Sequence, residues 1–190
     1  DTGCTPGALY VSTSATSNLR WNSTTNTYDA ITKGASATLN NETLRAQLQT
    51  GASGTSVNLN AAGIVISNGV TATANACGNL SITSTGNMDI SGAMNFSSCT
   101  NSGSTLKAAA AGYVYQNTTI TMKGGSVTYL SNADAGSGSS AGNIYLTAAS
   151  SITTNGGDVT FAGGSYTVTT GYARGYATAY NGTGLLDSNP

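Results

Sequence analysis

This chain of 190 residues has no histidine and very little charge. It carries 6 Lys or Arg and 7 Asp or Glu, which is 7% of the sequence, against about 25% in a typical domain. A net charge of -1 offers no basic patch to the phosphates of a nucleic acid or to an anionic membrane surface. No apolar run approaches the ~20 residues of a membrane-spanning helix. We therefore expect neither a nucleic-acid partner nor membrane insertion.

The lack of histidine also removes the usual routes to catalysis and metal binding. A Ser–His–Asp triad cannot be assembled in its usual form, and no cysteine spacing of the zinc-binding kind occurs. Gly156-Gly157-Asp158 resembles the glycine-rich calcium repeats only once. The carboxylates are scattered along the chain: Asp1, Asp29, Glu42, Asp89, Asp134, Asp158 and Asp187. We predict no catalytic, cofactor-binding or metal-binding residues, and hence no enzyme and no cofactor.

Only three cysteines are present, Cys4, Cys77 and Cys99. Cys77 and Cys99 are separated by about one turn of the repeat described below. Neighbouring parallel strands lie ~4.8 Å apart, within the Cα separation that a disulfide requires. A Cys77–Cys99 bridge is therefore expected, the alternative being two buried free thiols. Cys4 is left as a free thiol or as a link to a neighbouring molecule.

What the sequence does have is small residues and a recurring short strand. Gly, Ala, Ser, Thr and Asn make up about two-thirds of the chain. Among them returns a unit of three to five residues in which every second side chain is apolar. Such a strand buries its inner face only by stacking on copies of itself. The examples are Val57-Asn-Leu59, Ile64-Val-Ile66, Leu80-Ser-Ile82, Met88-Asp-Ile90, Ile120-Thr-Met122, Ile144-Tyr-Leu146 and Val159-Thr-Phe161.

This periodicity predicts an all-β chain wound as a parallel β-solenoid over residues 35–190. Residues 1–34 lack the repeat and are expected to form an atypical capping or joining segment. A short helix is predicted at 41–48, where Asn40 or Asn41 can cap the first turn and Glu42 favours it. An antiparallel β-sandwich remains the alternative, because it also uses short strands separated by Asn-Gly turns.

Near the end of the chain, three tyrosines follow one another at intervals of four residues. In an extended chain Tyr172, Tyr176 and Tyr180 share one face, with Arg174 among them. Tyrosine combines flat apolar area with a polar tip, so this row could contact a glycan or a partner surface. The alternative is that the rings cover the side or the end of the solenoid.

Several stretches resemble the repeat region of filamentous-haemagglutinin-like bacterial adhesins. Residues 39–67 are similar to the segment in which a short helix leads into V-x-L-x-A-x-G-x-I-x-I, and residues 78–93 and 142–164 look like further units. Residues 175–190 look like the connecting stretch between units. The resemblance implies a right-handed parallel β-helix, secretion to the bacterial surface, and a role in adhesion, biofilm or fibre formation. Because the chain starts at Asp1 without a signal peptide, it is expected to be a mature or excised product.

Together these features predict a secreted structural protein of the bacterial surface, a subunit or module of an extracellular fibre or adhesin. Its expected partner is a second copy of itself, joined head to tail through open strand edges. A module that binds a glycan or a host surface is the second hypothesis. A carbohydrate-active enzyme is the third and least favoured.

Overall fold

A computed structural model describes residues 5–50, 54–131 and 142–163, and in these residues it contains one helix and sixteen short strands. The strands are β1 (Ala8–Ser12), β2 (Leu19–Asn22), β3 (Thr27–Ala30), β4 (Ala37–Asn40), β5 (Val57–Ala61), β6 (Gly63–Ile66), β7 (Leu80–Ser84), β8 (Met88–Ile90), β9 (Met94–Asn95), β10 (Leu106–Ala110), β11 (Val114–Gln116), β12 (Thr119–Thr121), β13 (Val127–Ser131), β14 (Ile144–Leu146), β15 (Ser151–Thr153) and β16 (Val159–Gly163), and the helix is α1 (Asn41–Leu48).

The strands form three mostly parallel sheets. The six-stranded sheet has the order β14-β11-β8-β6-β1-β4, the seven-stranded sheet β16-β13-β10-β7-β5-β3-β2, and the three-stranded sheet β15-β12-β9. From β7 onward the chain visits the seven-, six- and three-stranded sheets in turn. We call one such round a pass. Each new strand pairs in parallel with the strand of the preceding pass in the same sheet.

The apolar residues of successive strands line up in register and form the core. In the seven-stranded sheet, Val57, Leu80, Leu106 and Val127 are aligned, and all four are buried. Because strand side chains alternate between faces, one residue in two enters the core. This explains why strands of only three to five residues suffice: each is covered by the strands before and after it.

The turns between strands stack closely enough to require glycine. A Cβ on Gly69 would collide with the carbonyl of Ala93, and a Cβ on Gly92 would collide with the backbone at Asn68 and Gly69. In this region the Ser91 and Gly92 amides both donate to the Ile66 carbonyl. Glycine at these positions therefore lets the backbones of two passes approach each other.

The helix predicted at 41–48 is confirmed at Asn41–Leu48. The Asn40 side chain accepts hydrogen bonds from the Glu42 and Thr43 amides, which is the usual N-cap arrangement. Leu44 and Leu48 are buried and join the core. The helix thus covers part of the core next to the first strands.

The predicted right-handed parallel β-helix is wrong as a description of this fold. The described residues form three mostly parallel sheets of six, seven and three strands with one short helix, and no closed solenoid is seen among them. The third sheet contains only β9, β12 and β15, so it lies beside only some of the strands of the two larger sheets. In addition, β1 lies between β4 and β6, out of chain order, and β2 runs antiparallel to β3. Alternation predicts short stacked strands but does not specify how the sheets are ordered or closed.

Candidate functional site

The structure contains a disulfide bond between the two cysteines for which the sequence predicts one. Cys77 and Cys99 form a disulfide with a Cα–Cα distance of 5.7 Å, and both are buried. The Cys77 amide donates to Asn101 Oδ1, and Asn101 Nδ2 returns a hydrogen bond to the Cys77 carbonyl. The bridge and these hydrogen bonds tie one pass to the next.

The other residues singled out in the sequence lie outside the described residues. These are Cys4, with its expected free or intermolecular thiol, and the row formed by Tyr172, Arg174, Tyr176 and Tyr180. Their roles stay predictions.

The described carboxylates are separate from one another and have structural partners. Asp29 is buried and accepts hydrogen bonds from Asn22 and Thr27. Asp89 points away from the buried Met88 and accepts from the Ser91 hydroxyl at 2.6 Å. Within the described residues, no group of three or more His, Cys, Asp or Glu side chains could hold a metal ion.

One polar pair lies inside the core, between two sheets. Gln116 and Tyr129 are both fully buried. The Tyr129 hydroxyl donates to Gln116 Oε1 at 2.8 Å, and Gln116 Nε2 donates to the Thr118 and Ser151 carbonyls. Burial raises the pKa of the Tyr129 hydroxyl, as it raises that of Tyr28 to about 12, because the phenolate is poorly solvated there. The pair is fully hydrogen-bonded, which makes it structural.

A different arrangement is found where the last strands end the sheets. We call the surface formed by β14, β15 and β16 the open end. Ile152 and Phe161 are in register with the buried Ile120 and Tyr129, and Leu146 is in register with the buried Gln116. All three are themselves only partly buried. Val159 is aligned with the fully buried Val127, yet 44% of it is exposed. Among the described residues no further strand covers them, so in this part of the chain the end presents apolar side chains beside strand edges that have one partner only.

The opposite end is largely covered. Ser17 makes two backbone hydrogen bonds with Thr38 of β4, and α1 packs its buried leucines against the core. In the seven-stranded sheet the last strand at this end is β2, whose Leu19 and Trp21 are half-buried against the core. Within the described part of the chain, β2 has a strand partner on one side only.

A second surface feature is a row of side chains on the outer face of the six-stranded sheet. The register aligns Tyr10, Val65, Asp89, Tyr115 and Tyr145 across five strands. We call these residues the outer column. Tyr10 is 43% exposed, and Tyr145 makes an edge-on aromatic contact with Tyr113. The outer column thus combines flat rings with one carboxylate.

Sequence reasoning did not identify the outer column because its tyrosines are far apart along the chain. Tyr10, Tyr115 and Tyr145 each lie at the polar position of an alternating strand, where solvent exposure is the ordinary expectation. Only the register places them in one row. If Val114-Tyr-Gln116 is aligned with Ile144-Tyr-Leu146 in the sequence, Tyr115 and Tyr145 fall at the same position, and this part of the outer column becomes predictable.

Comparisons with protein-family models, curated proteins and solved structures give no match to this chain. The adhesin resemblance therefore remains a prediction. As for membranes, α1 has eight residues, and none of the described helical structure is long and apolar enough to span a bilayer.

Proposed function

We propose that this protein is a structural subunit or module of an extracellular bacterial fibre or adhesin, and that it assembles end to end by adding strands at its open end. The observation that carries the proposal is the exposure of Val159 and its neighbours at positions that are buried in every earlier pass. An apolar row that ends at a free strand edge is a template for another strand.

The energetics favour covering this end. Burial of apolar surface contributes about 25 cal/mol per Å², and the core face of the open end carries Val159, Phe161, Leu146 and Ile152. A strand added there also pairs the backbone amides and carbonyls of β16 that have no strand partner among the described residues. Assembly through such an edge needs neither charge nor a cofactor, which agrees with the composition.

The disulfide supports an extracellular location. Disulfides persist in oxidising compartments and are rare in the bacterial cytosol. Cys77 and Cys99 are buried and joined between successive passes, an arrangement suited to a protein that must last outside the cell.

The test is a charge placed at the open end. In Val159→Lys the ammonium would have to be desolvated when another strand covers the edge, so we expect polymers to be reduced at least tenfold in analytical ultracentrifugation. Thr83→Lys is the matched control, because Thr83 is exposed in the middle of the same sheet. Wild-type protein that sediments as a monomer at every concentration, with no fibres by electron microscopy, would refute the proposal.

The outer column favours a second candidate, a module that binds a glycan or a cell surface. Tyrosine rings in a row can stack on sugar rings, and the Asp89 carboxylate can accept hydrogen bonds from sugar hydroxyls. On a glycan array we expect Tyr10→Ala/Tyr145→Ala to lose binding and Lys107→Ala, on the outer face of the other large sheet, to retain it. Equal glycan binding by the wild type, the double tyrosine variant and Lys107→Ala would exclude the outer column as the contact surface.

A further inference from the structure

The strands at the two ends of the seven-stranded sheet are β16 and β2. In each, the residues whose backbone groups have no strand partner among the described residues are also those whose side chains face the core. We propose that β16 of one copy pairs antiparallel with β2 of a second copy, so that the seven-stranded sheet continues from molecule to molecule. This inference rests on the proposed end-to-end assembly and names the surface that receives the open end.

The direction of pairing follows from the hairpin at the start of the sheet. The strand β3 is parallel to β5, and β5, β7, β10, β13 and β16 are mutually parallel. The strand β2 is antiparallel to β3 and therefore runs opposite to β16. When copies are stacked in the same orientation, β2 of the next copy meets β16 in the antiparallel sense.

The free backbone groups of β16 belong to its core-facing residues. The Val127 amide donates to the Asp158 carbonyl, and in a parallel ladder the residues that bond one neighbour alternate with those that point away from it. Asp158 and Thr160 are therefore turned towards β13. Val159 and Phe161 turn their amides and carbonyls to the other edge, which has no strand partner among the described residues.

The same reasoning gives the free groups of β2. The Ile31 amide donates to the Asn18 carbonyl, so bonded pairs across the hairpin alternate from there. This places the backbone groups of Leu19 and Trp21 on the outer edge. Leu19 and Trp21 also face the core, as their packing against it shows.

Both patterns are satisfied by one register. Bonded pairs between Val159 and Trp21, and between Phe161 and Leu19, bring four core-facing apolar side chains together on the same face of the sheet. Thr160 then faces Arg20 on the outer side. A register shifted by one residue would oppose the free groups of one strand to the satisfied groups of the other.

Charge favours this pairing over the pairing of two β2 edges. In the proposed register Arg20 lies diagonally across from Asp158, within reach of its long side chain. Both residues are exposed, and among the described residues the only salt bridge joins Arg45 to Glu42. Pairing two β2 edges would instead bring two arginines together. Unlike surfaces that meet in this way produce an open filament unless the rotation between copies closes a ring.

Cysteine trapping tests the register. Thr160 and Arg20 would form a non-hydrogen-bonded pair, with Cα atoms about 4.5 Å apart, close enough for a disulfide. In a Cys4→Ser background, an equal mixture of Thr160→Cys and Arg20→Cys proteins should yield cross-linked dimers under mild oxidation, at least fivefold above either protein alone. The control mixture pairs Arg20→Cys with Lys107→Cys, a position in the middle of the sheet.

Each other outcome overturns the proposal in a distinguishable way. Cross-linking of Thr160→Cys to itself would mean that two β16 edges meet. Slow hydrogen exchange of the Val159 and Phe161 amides in dilute monomer would mean that the chain following Gly163 already occupies the edge. Polymers of the Cys4→Ser parent without excess cross-linking would refute this register while leaving end-to-end assembly intact, whereas a parent that stays monomeric would refute both.

Discussion

At the scale of single residues, the core depends on pairs of unequal size. Tyr129 is aligned with Ala108 of the preceding pass, and the small side chain leaves room for the large ring. The hydroxyl of that ring then satisfies Gln116, which occupies a position that Ile90 fills one pass earlier. Gln116 and Tyr129 thus take positions that Ile90 and Ala108 fill one pass earlier. Their polar atoms are hydrogen-bonded, as is usual for polar groups inside a core.

Removing the Tyr129 hydroxyl should therefore lower stability. In Tyr129→Phe, Gln116 Oε1 loses its donor inside the core, and we expect the free energy of unfolding to fall by about 1–3 kcal/mol in urea titration at pH 7. Gln116→Ala/Tyr129→Phe should cost less than the sum of the two single changes, because the two residues share one hydrogen bond. Strictly additive effects would contradict this coupling.

The raised tyrosine pKa values predict an alkaline limit to folding. Unfolded tyrosines lose their protons near pH 10, whereas the pKa of Tyr28 in the folded protein is about 12 and that of Tyr129 is also raised. Above pH 10 the unfolded chain binds fewer protons than the folded one, so the free energy of unfolding falls as pH rises. Urea titrations from pH 8 to 11 should show this decline, with a smaller slope in Tyr129→Phe. Parallel curves for the two proteins would contradict it.

The disulfide also acts at this scale. It closes a loop with a sequence separation of 22 residues, for which the chain-entropy model gives a stabilisation of about 3 kcal/mol. Cys77→Ala/Cys99→Ala should unfold at correspondingly lower urea concentration than the oxidised wild type. Reduced wild type should behave like the double variant, and identical midpoints for all three would show that the bridge contributes nothing.

At the scale of elements, the turns between strands limit which residues the chain can accept. Glycine is needed where two passes touch, at Gly69 and Gly92, but not where the backbone is open. Gly63 lies at the start of β6 with no atom within 4 Å of the place a Cβ would occupy. The two kinds of glycine are indistinguishable in the sequence.

This contrast gives a matched pair of substitutions. Gly92→Ala places a methyl group against the backbone of the preceding pass, and we expect a loss of about 1–3 kcal/mol in the free energy of unfolding. Gly63→Ala should change it by less than about 1 kcal/mol, because the site is open. Thermal and urea unfolding would measure both, and equal losses would show that turn contact is not the cause.

Elements also show where sequence reasoning succeeds. The helix at 41–48 could be predicted because its cap and its first-turn acid are local signals, and the strand at Val57–Ala61 because alternation is local as well. The place of β1 between β4 and β6 could not be predicted, since Leu9-Tyr-Val11 alternates like any other strand and carries no mark of its neighbours. Register is likewise non-local, so the sequence points to the tyrosines at 172, 176 and 180, which are close together in the chain, and not to the outer column.

At the scale of the whole molecule, the two ends differ. One is covered by α1 and by the Ser17–Thr38 bridge, and at the other, within the described residues, Val159 and Phe161 lie on a strand with one partner only. Two unlike ends suit a head-to-tail polymer. Because the joint is mainly apolar and its one expected ion pair, Arg20 with Asp158, is exposed to solvent, we expect assembly to change little between low and high salt, which light scattering at 20 mM and 500 mM NaCl would measure. Assembly abolished by salt would contradict an apolar joint.

The bond between Cys77 and Cys99 has a mechanical consequence. Tension applied along the direction in which strands are stacked would peel them off one after another, each giving up only its own few hydrogen bonds. A covalent cross-link carries the force past the segment it closes, so the chain between Cys77 and Cys99 cannot be drawn out while the bridge is intact. Any subunit pulled in this way would extend less than its full chain length by the part that the closed loop holds back.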